Sequence, residues 1–115
     1  MAMYCETPLD RTFHALGDPT RRRILAVLAQ QGPRTASQLG SPFKISQPSI
    51  SKHLKVLEKA GLIERSILGR SHRFTLNSAP LDEADGWINL HRKFWQGSLD
   101  QLGLLVTDLN ELDQK

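Results

Sequence analysis

Cysteine is nearly absent, with Cys5 the only one in 115 residues. No internal disulfide can form, which suits a reducing compartment and excludes a redox switch built from two thiols of one chain. Long apolar runs are missing too, and nothing approaches the roughly 20 apolar residues of a membrane span. Met1 to Arg11 shows no basic stretch followed by an apolar one, so no secretory signal is expected. Repeats and low-complexity tracts are lacking. So are a glycine-rich phosphate loop, a nucleophile motif and a carboxylate pair in catalytic arrangement, so neither an enzyme nor a cofactor is expected. A metal site needs about four suitable ligands. His14, His53, His72 and His91 fall on separate elements, and His91 sits beside Arg92 and Lys93, so no metal is expected.

Acidic residues are scarce in one place only. Between Arg11 and Arg73 there are 12 Lys/Arg against 3 Asp/Glu, a balance of +9, whereas residues 80–115 carry −4 and the whole chain +3. A basic centre in a near-neutral chain is the electrostatic footprint of a polyanion-binding face, or else a solvated basic surface. The length suits one domain, and a domain this short gains from burying further surface in an oligomer.

Helix signals fill the first half of the chain. A short helix is expected over Leu9–Leu16, with Leu9, Phe13 and Leu16 on one face and Gly17 ending it. Asp18-Pro19-Thr20 starts a second helix, with Asp18 as cap and Pro19 in the first turn, where it loses no hydrogen bond. Ile24, Leu25 and Leu28 form its apolar face, and Gly32-Pro33 stops it. Thr35 and Gln38 have the spacing of a capping box and open a third helix that ends near Gly40. After a turn at Ser41–Lys44, Ser46 or Gln47 caps a fourth helix with Ile50, Leu54 and Leu57 on one side, closed by Gly61. The apolar period then changes to two. Leu62–Leu68 and Ser71–Asn77 read as a hairpin about a Gly69-Arg70 turn, and Asp82–Leu112 as a long last helix.

The fourth helix carries the functional signal. Opposite Ile50, Leu54 and Leu57 lie Pro48, Lys52, Lys55 and Lys59, with Ser49 and Ser51 on the flanks and Gln47 at the tip. That face is small, polar and positive. A DNA major groove about 12 Å wide admits one such helix, where Gln can bond adenine in a bidentate manner and Ser can donate or accept. In the hairpin, Arg65, Arg70, His72 and Arg73 supply charge, and Arg70 at the turn can reach a phosphate or the minor groove. The DNA-binding set is therefore Gln47, Pro48, Ser49, Ser51, Lys52, Lys55, Arg70, His72 and Arg73, and the partner is double-stranded DNA. A winged helix that binds protein instead is the rival reading. Such modules often lack a basic outer face like that of Lys52, Lys55, Arg70 and Arg73.

These residues resemble a known family. Asp18-Pro19-Thr20-Arg21, Ile24-Leu25, the run from Ser46 to Leu57 (SQPSISKHLKVL), Ala60-Gly61-Leu62-Ile63 and Gly69-Arg70 look like the ArsR/SmtB winged-helix repressors. The resemblance runs from about Asp10 to Asn77. It implies a mainly α fold with a β-hairpin wing, in the order α-α-α-α-β-β-α. It also implies a homodimer held by the first and last helices, and repression by promoter occlusion in a bacterial cytoplasm, on the nucleoid when bound. On that basis residues 1–8 are a flexible lead-in and 9–115 the winged-helix domain. Within it, 9–16 and 81–112 are dimerisation helices, 35–60 the helix-turn-helix and 62–77 the wing. The chain departs from the family at its metal sites. Pro33 to Leu39 holds no Cys, His or carboxylate where many members carry a Cys-x-Cys pair.

In the last helix, Leu81, Ala84, Ile88, His91, Trp95, Ser98, Leu102, Leu105, Leu109 and Leu112 alternate by three and four, and Trp87, Phe94, Leu99 and Val106 widen the apolar surface. A helix apolar over so much of its circumference buries two sides, one on its own domain and one on a partner. The expected interface comprises Phe13, Leu81, Ile88, Trp95, Leu102, Leu105 and Leu109. The alternative use is a pocket for a small organic effector around Trp87, Phe94 and Trp95.

Overall fold

A computed structural model describes residues 6–113, with side chains described as far as Gly103. Cys5 and the side chains of Leu105 and Leu109 lie outside the described residues. The elements are α1 (Pro8–Leu16), α2 (Pro19–Gln31), β1 (Arg34–Thr35), α3 (Ala36–Gly40), a 3₁₀ turn (Ser41–Phe43), α4 (Gln47–Lys59), β2 (Ile63–Leu68), β3 (Ser71–Leu76) and α5 (Ala79–Asp113). The strands form one antiparallel sheet in the order β1-β3-β2. The chain divides into two compact units, Met1–Ala84 and Asp85–Lys115.

Capping chemistry fixes the helix starts. Thr7 and Asp10 close a capping box on α1, with Asp10 N donating to Thr7 Oγ1 at 3.1 Å and Thr7 N to Asp10 Oδ2 at 2.9 Å. Asp18 Oδ2 accepts from Arg21 N at 3.0 Å, and Thr35 and Gln38 form a second box at 2.9 and 3.2 Å. Ser46, not Gln47, caps α4, accepting from Ser49 N at 3.3 Å. The C-terminus of α4 closes as a Schellman motif. Gly61 takes φ 76°, its N–H donates to Glu58 O at 2.9 Å, and Leu62 N donates to Leu57 O at 3.0 Å. The C-terminal carbonyls of α1 are satisfied by α2. Arg21 donates to Ala15 O at 2.8 Å and His14 O at 3.0 Å, and Arg22 to Leu16 O at 2.7 Å.

The core of the first unit joins Ile24, Leu25 and Leu28 of α2, Leu39 of α3, Ile50, Leu54 and Leu57 of α4, and Leu62, Ile63 and Phe74 of the hairpin. Three expectations need correction. In α1 the fully buried residues are Thr12 and Ala15, while of the expected face Leu16 packs against the core, Leu9 is half-buried and Phe13 is exposed. Small side chains allow close approach there, and the Thr12 hydroxyl is satisfied by Pro8 O at 3.1 Å. Strand β1 carried no sequence signal, because two residues show no periodicity and their pairing (Arg34 with Phe74, Thr35 with Arg73) is long-range. Helix α5 starts at Ala79 instead of Asp82, since Asn77 Oδ1 accepts from Ala79 N at 3.2 Å and Pro80 fits a first turn.

Candidate nucleic-acid interface

Helices α3 and α4, with the turn between them, form the helix-turn-helix. They pack closely, with the Ile50 side chain against the backbone of Gly40, where a Cβ would stand 2.9 Å from Ile50 Cγ1. Close support of this kind seats Ile50, Leu54 and Leu57 in the core and turns the other face outward. Gln47, Pro48, Ser51, Lys52, Lys55 and Lys59 are exposed, while Ser49 is half-buried. Among the described residues Lys52, Lys55, Lys59, Arg70 and Arg73 make no ion pair, so their charge is unneutralised.

The wing is the hairpin of β2 and β3, closed at Gly69-Arg70, with Leu68 opposite Ser71 and exposed Arg70 at the tip. Strand alternation separates two of the expected residues. His72 and Phe74 share one face and Arg73 points to the other. The structure thus brings His72 to the α4 side of the wing, where Ser51, Leu54, Lys55, Arg65, His72, Phe74 and Ala36 line a cleft of about 330 Å³. Arg73 lies away from it.

Arg65, a wing cation outside the expected DNA-binding set, is central in the structure. Its Nη2 donates to Glu58 Oε1 of α4 at 2.7 Å and its Nη1 to His72 Nδ1 at 3.2 Å. Its guanidinium lies 5.0 Å from the centroid of the Phe74 ring. The sequence offered one clue, a lone acid on α4 followed seven residues later by an arginine.

His53, on the flank of α4, makes structural contacts. Arg21 Nη1 donates to its Nδ1 at 3.3 Å, and Asp18 Oδ2 lies 3.8 Å away. The N–H of Arg21 holds the Asp18 carboxyl below the usual carboxylate range, against a smaller opposing effect of burial and with help from the His53 and Arg21 side chains. Among the described residues no three His, Cys, Asp or Glu side chains are grouped to hold a metal ion, and no helix is long and apolar enough to cross a membrane.

Leu81 and Ala84, at the start of α5, belong to the first unit. Ala84 is buried, and Leu81 is half-buried against the core, so it serves its own unit before any partner. In the second unit Ile88, Trp95 and Leu102 are exposed, as are Trp87, Leu90, Phe94 and Leu99. The expected aromatic cluster is divided. Trp87 stacks on His91 with ring centroids 4.0 Å apart and lines one groove with Ile88, while Phe94 lines another with Leu99 and Leu102, and Trp95 borders both. In α1, Phe13 is exposed.

Comparison with known proteins places this geometry. A helix-turn-helix domain family matches residues 16–66. The transcriptional repressor SdpR of Bacillus subtilis (strain 168) is 38% identical over 80 residues, which cover 70% of this chain and 88% of that protein. The crystal structure of an ArsR family transcriptional regulator superposes with a TM-score of 0.73 at 36% identity, covering 84% of this chain and 97% of that one. An ArsR-like transcriptional regulator from Rhodococcus sp. RHA1 gives 0.70 at 30% identity, covering 83% and 89%.

Proposed function

The chain belongs to the ArsR/SmtB-type family of winged helix-turn-helix, DNA-binding transcriptional regulators, and from that premise we propose that it represses transcription as a homodimer on an inverted-repeat operator. The carrying observation is the exposed face of α4, where Gln47, Ser51, Lys52 and Lys55 stand clear of the core with no acidic partner. Gln47, Pro48, Ser49 and Ser51 enter the major groove and read base edges. Lys52, Lys55, Arg70 and Arg73 contact phosphates, which fix register without reading sequence. His72 borders the cleft between α4 and the wing.

Dimerisation rests on the exposed apolar side chains of α5, Ile88, Trp95 and Leu102, together with Phe13 of α1. A surface patch of this kind marks an interaction site, and each large apolar side chain it buries contributes roughly 1.5–3 kcal/mol. Residues 9–16 and 81–112 are the dimerisation elements, 35–60 the reading head and 62–77 the wing. The protein acts by binding, without chemistry, in the cytoplasm and on the nucleoid when DNA-bound. Two-fold symmetry then sets half-sites about 34 Å apart.

The test is selection of bound fragments from the source genome, followed by affinity measurement on an enriched duplex at several salt concentrations. Affinity should fall steeply with salt, by about 0.9 log units per phosphate contact per log unit of salt. Affinity insensitive to salt, or enriched fragments without inverted symmetry, would refute the reading.

A further inference from the structure

The recognition helix and the wing share the core through Ile63 and Phe74, and Arg65, two residues above Ile63, adds a polar tie between them. Arg65 of β2 reaches Glu58 of α4 at 2.7 Å and His72 of β3 at 3.2 Å, and covers the buried ring of Phe74 at 5.0 Å. Glu58 is the sole carboxylate on α4. On the other edge β1 pairs with Phe74 and Arg73, and beyond that level Ile67 and Leu68 are exposed. A six-residue strand spans about 20 Å, so a small rotation at the root would carry Arg70 several ångströms from its contact.

The pair is only partly shielded, with side-chain exposures of 36% for Arg65 and 29% for Glu58. Ion pairs of that kind add little to folding stability, so the consequence is geometric. The guanidinium is a planar fork that holds its partners at fixed angles, and here each side of the fork holds a different element. A carboxylate beside a polyanion-binding face is otherwise unfavourable, which makes its presence there informative.

We propose that Glu58 and Arg65 are a pair of positioning residues that fix the wing at the angle where Arg70 and the α4 lysines engage one duplex together. This rests on the DNA-binding reading above. It predicts the opposite of simple charge counting. Removing Glu58 makes the protein more positive, which by itself strengthens binding to DNA, whereas loss of the strut weakens it.

The test compares wild type, Glu58→Gln, Arg65→Gln and the double variant, using a labelled duplex taken from the enriched genomic fragments. Each single variant should bind about tenfold more weakly, and the double no worse than either, because both substitutions break one contact. The dependence of log affinity on log salt should change alike in the two single variants and the double, its slope falling by up to about 0.9 as Arg70 leaves its phosphate. Trypsin cleavage after Arg70, followed without DNA, should be several-fold faster in every variant while the Tm stays near wild type. Equal or tighter binding by Glu58→Gln overturns the proposal, as do losses that multiply in the double variant. A slope reduced by about 0.9 in Arg65→Gln but unchanged in Glu58→Gln would make Arg65 a phosphate contact instead. Should the wild type bind no duplex, the DNA reading fails, and the trypsin comparison alone decides whether the pair holds the wing. Unchanged cleavage overturns that too.

Discussion

Gly40 is where the helix-turn-helix is tightest, and one added methyl tests how α3 and α4 are held. A Cβ there would stand 2.9 Å from Ile50 Cγ1 and 3.3 Å from Gln47 Nε2. Carbon pairs rest comfortably at about 3.5–4.0 Å, so the methyl overlaps a fully buried side chain. Backbone strain is not the obstacle, since Gly40 has φ −80° and ψ −27°, where alanine is favoured over glycine by about 1 kcal/mol. Overpacking costs about 1–3 kcal/mol. The two effects together leave Gly40→Ala about 1 kcal/mol less stable, a fall in Tm of roughly 4–8 °C for a small domain. Ile50→Ala empties core volume and costs about 2–5 kcal/mol. Because the new methyl enters the space Ile50 vacates, the double variant should lose less than the sum, by about 0.5–3 kcal/mol. Urea unfolding of the four proteins measures the cycle. Duplex affinity of Gly40→Ala should also fall, since Gln47 is the other neighbour. Additive losses, or a Gly40→Ala protein more stable than wild type, would refute a close contact between the two helices.

Three other outcomes are expected. Leu102→Asp, at an exposed site on α5, should yield monomers that bind DNA poorly, and sedimentation checks this; a variant that still dimerises removes that face from the interface. Gln47→Ala should change base preference, by about 1–3 kcal/mol if a bidentate contact is lost, whereas Lys52→Ala weakens binding to all sequences and lowers the salt slope by about 0.9. Asp18→Ala should cost about 1 kcal/mol at neutral pH through the lost helix cap. Because the Asp18 carboxyl is lowered in the folded state, its contribution is complete above its unfolded value of about 3.9 and disappears as pH falls through the lower folded value. Acid unfolding curves should therefore converge for wild type and variant below that range, and a constant gap down to strongly acid pH contradicts the assignment.

Much of this molecule follows from local sequence. Asp18-Pro19, Thr35 with Gln38, and Gly61 define helix ends by short-range hydrogen bonds and dihedral limits, which do not depend on the rest of the chain. The outward face of α4 was legible for the same reason, because Ile50, Leu54 and Leu57 can share a core only if Lys52 and Lys55 turn away from it. Tertiary structure decided what depends on distant partners. It buried Thr12 and Ala15 and packed Leu16 against the core while leaving Phe13 exposed. It added β1 by pairing residues some forty positions apart in sequence. It divided the α5 aromatics between two grooves and drew Arg65 onto Glu58. None of these has a periodic signature, since each is set by which surfaces meet once the helices and hairpin have formed.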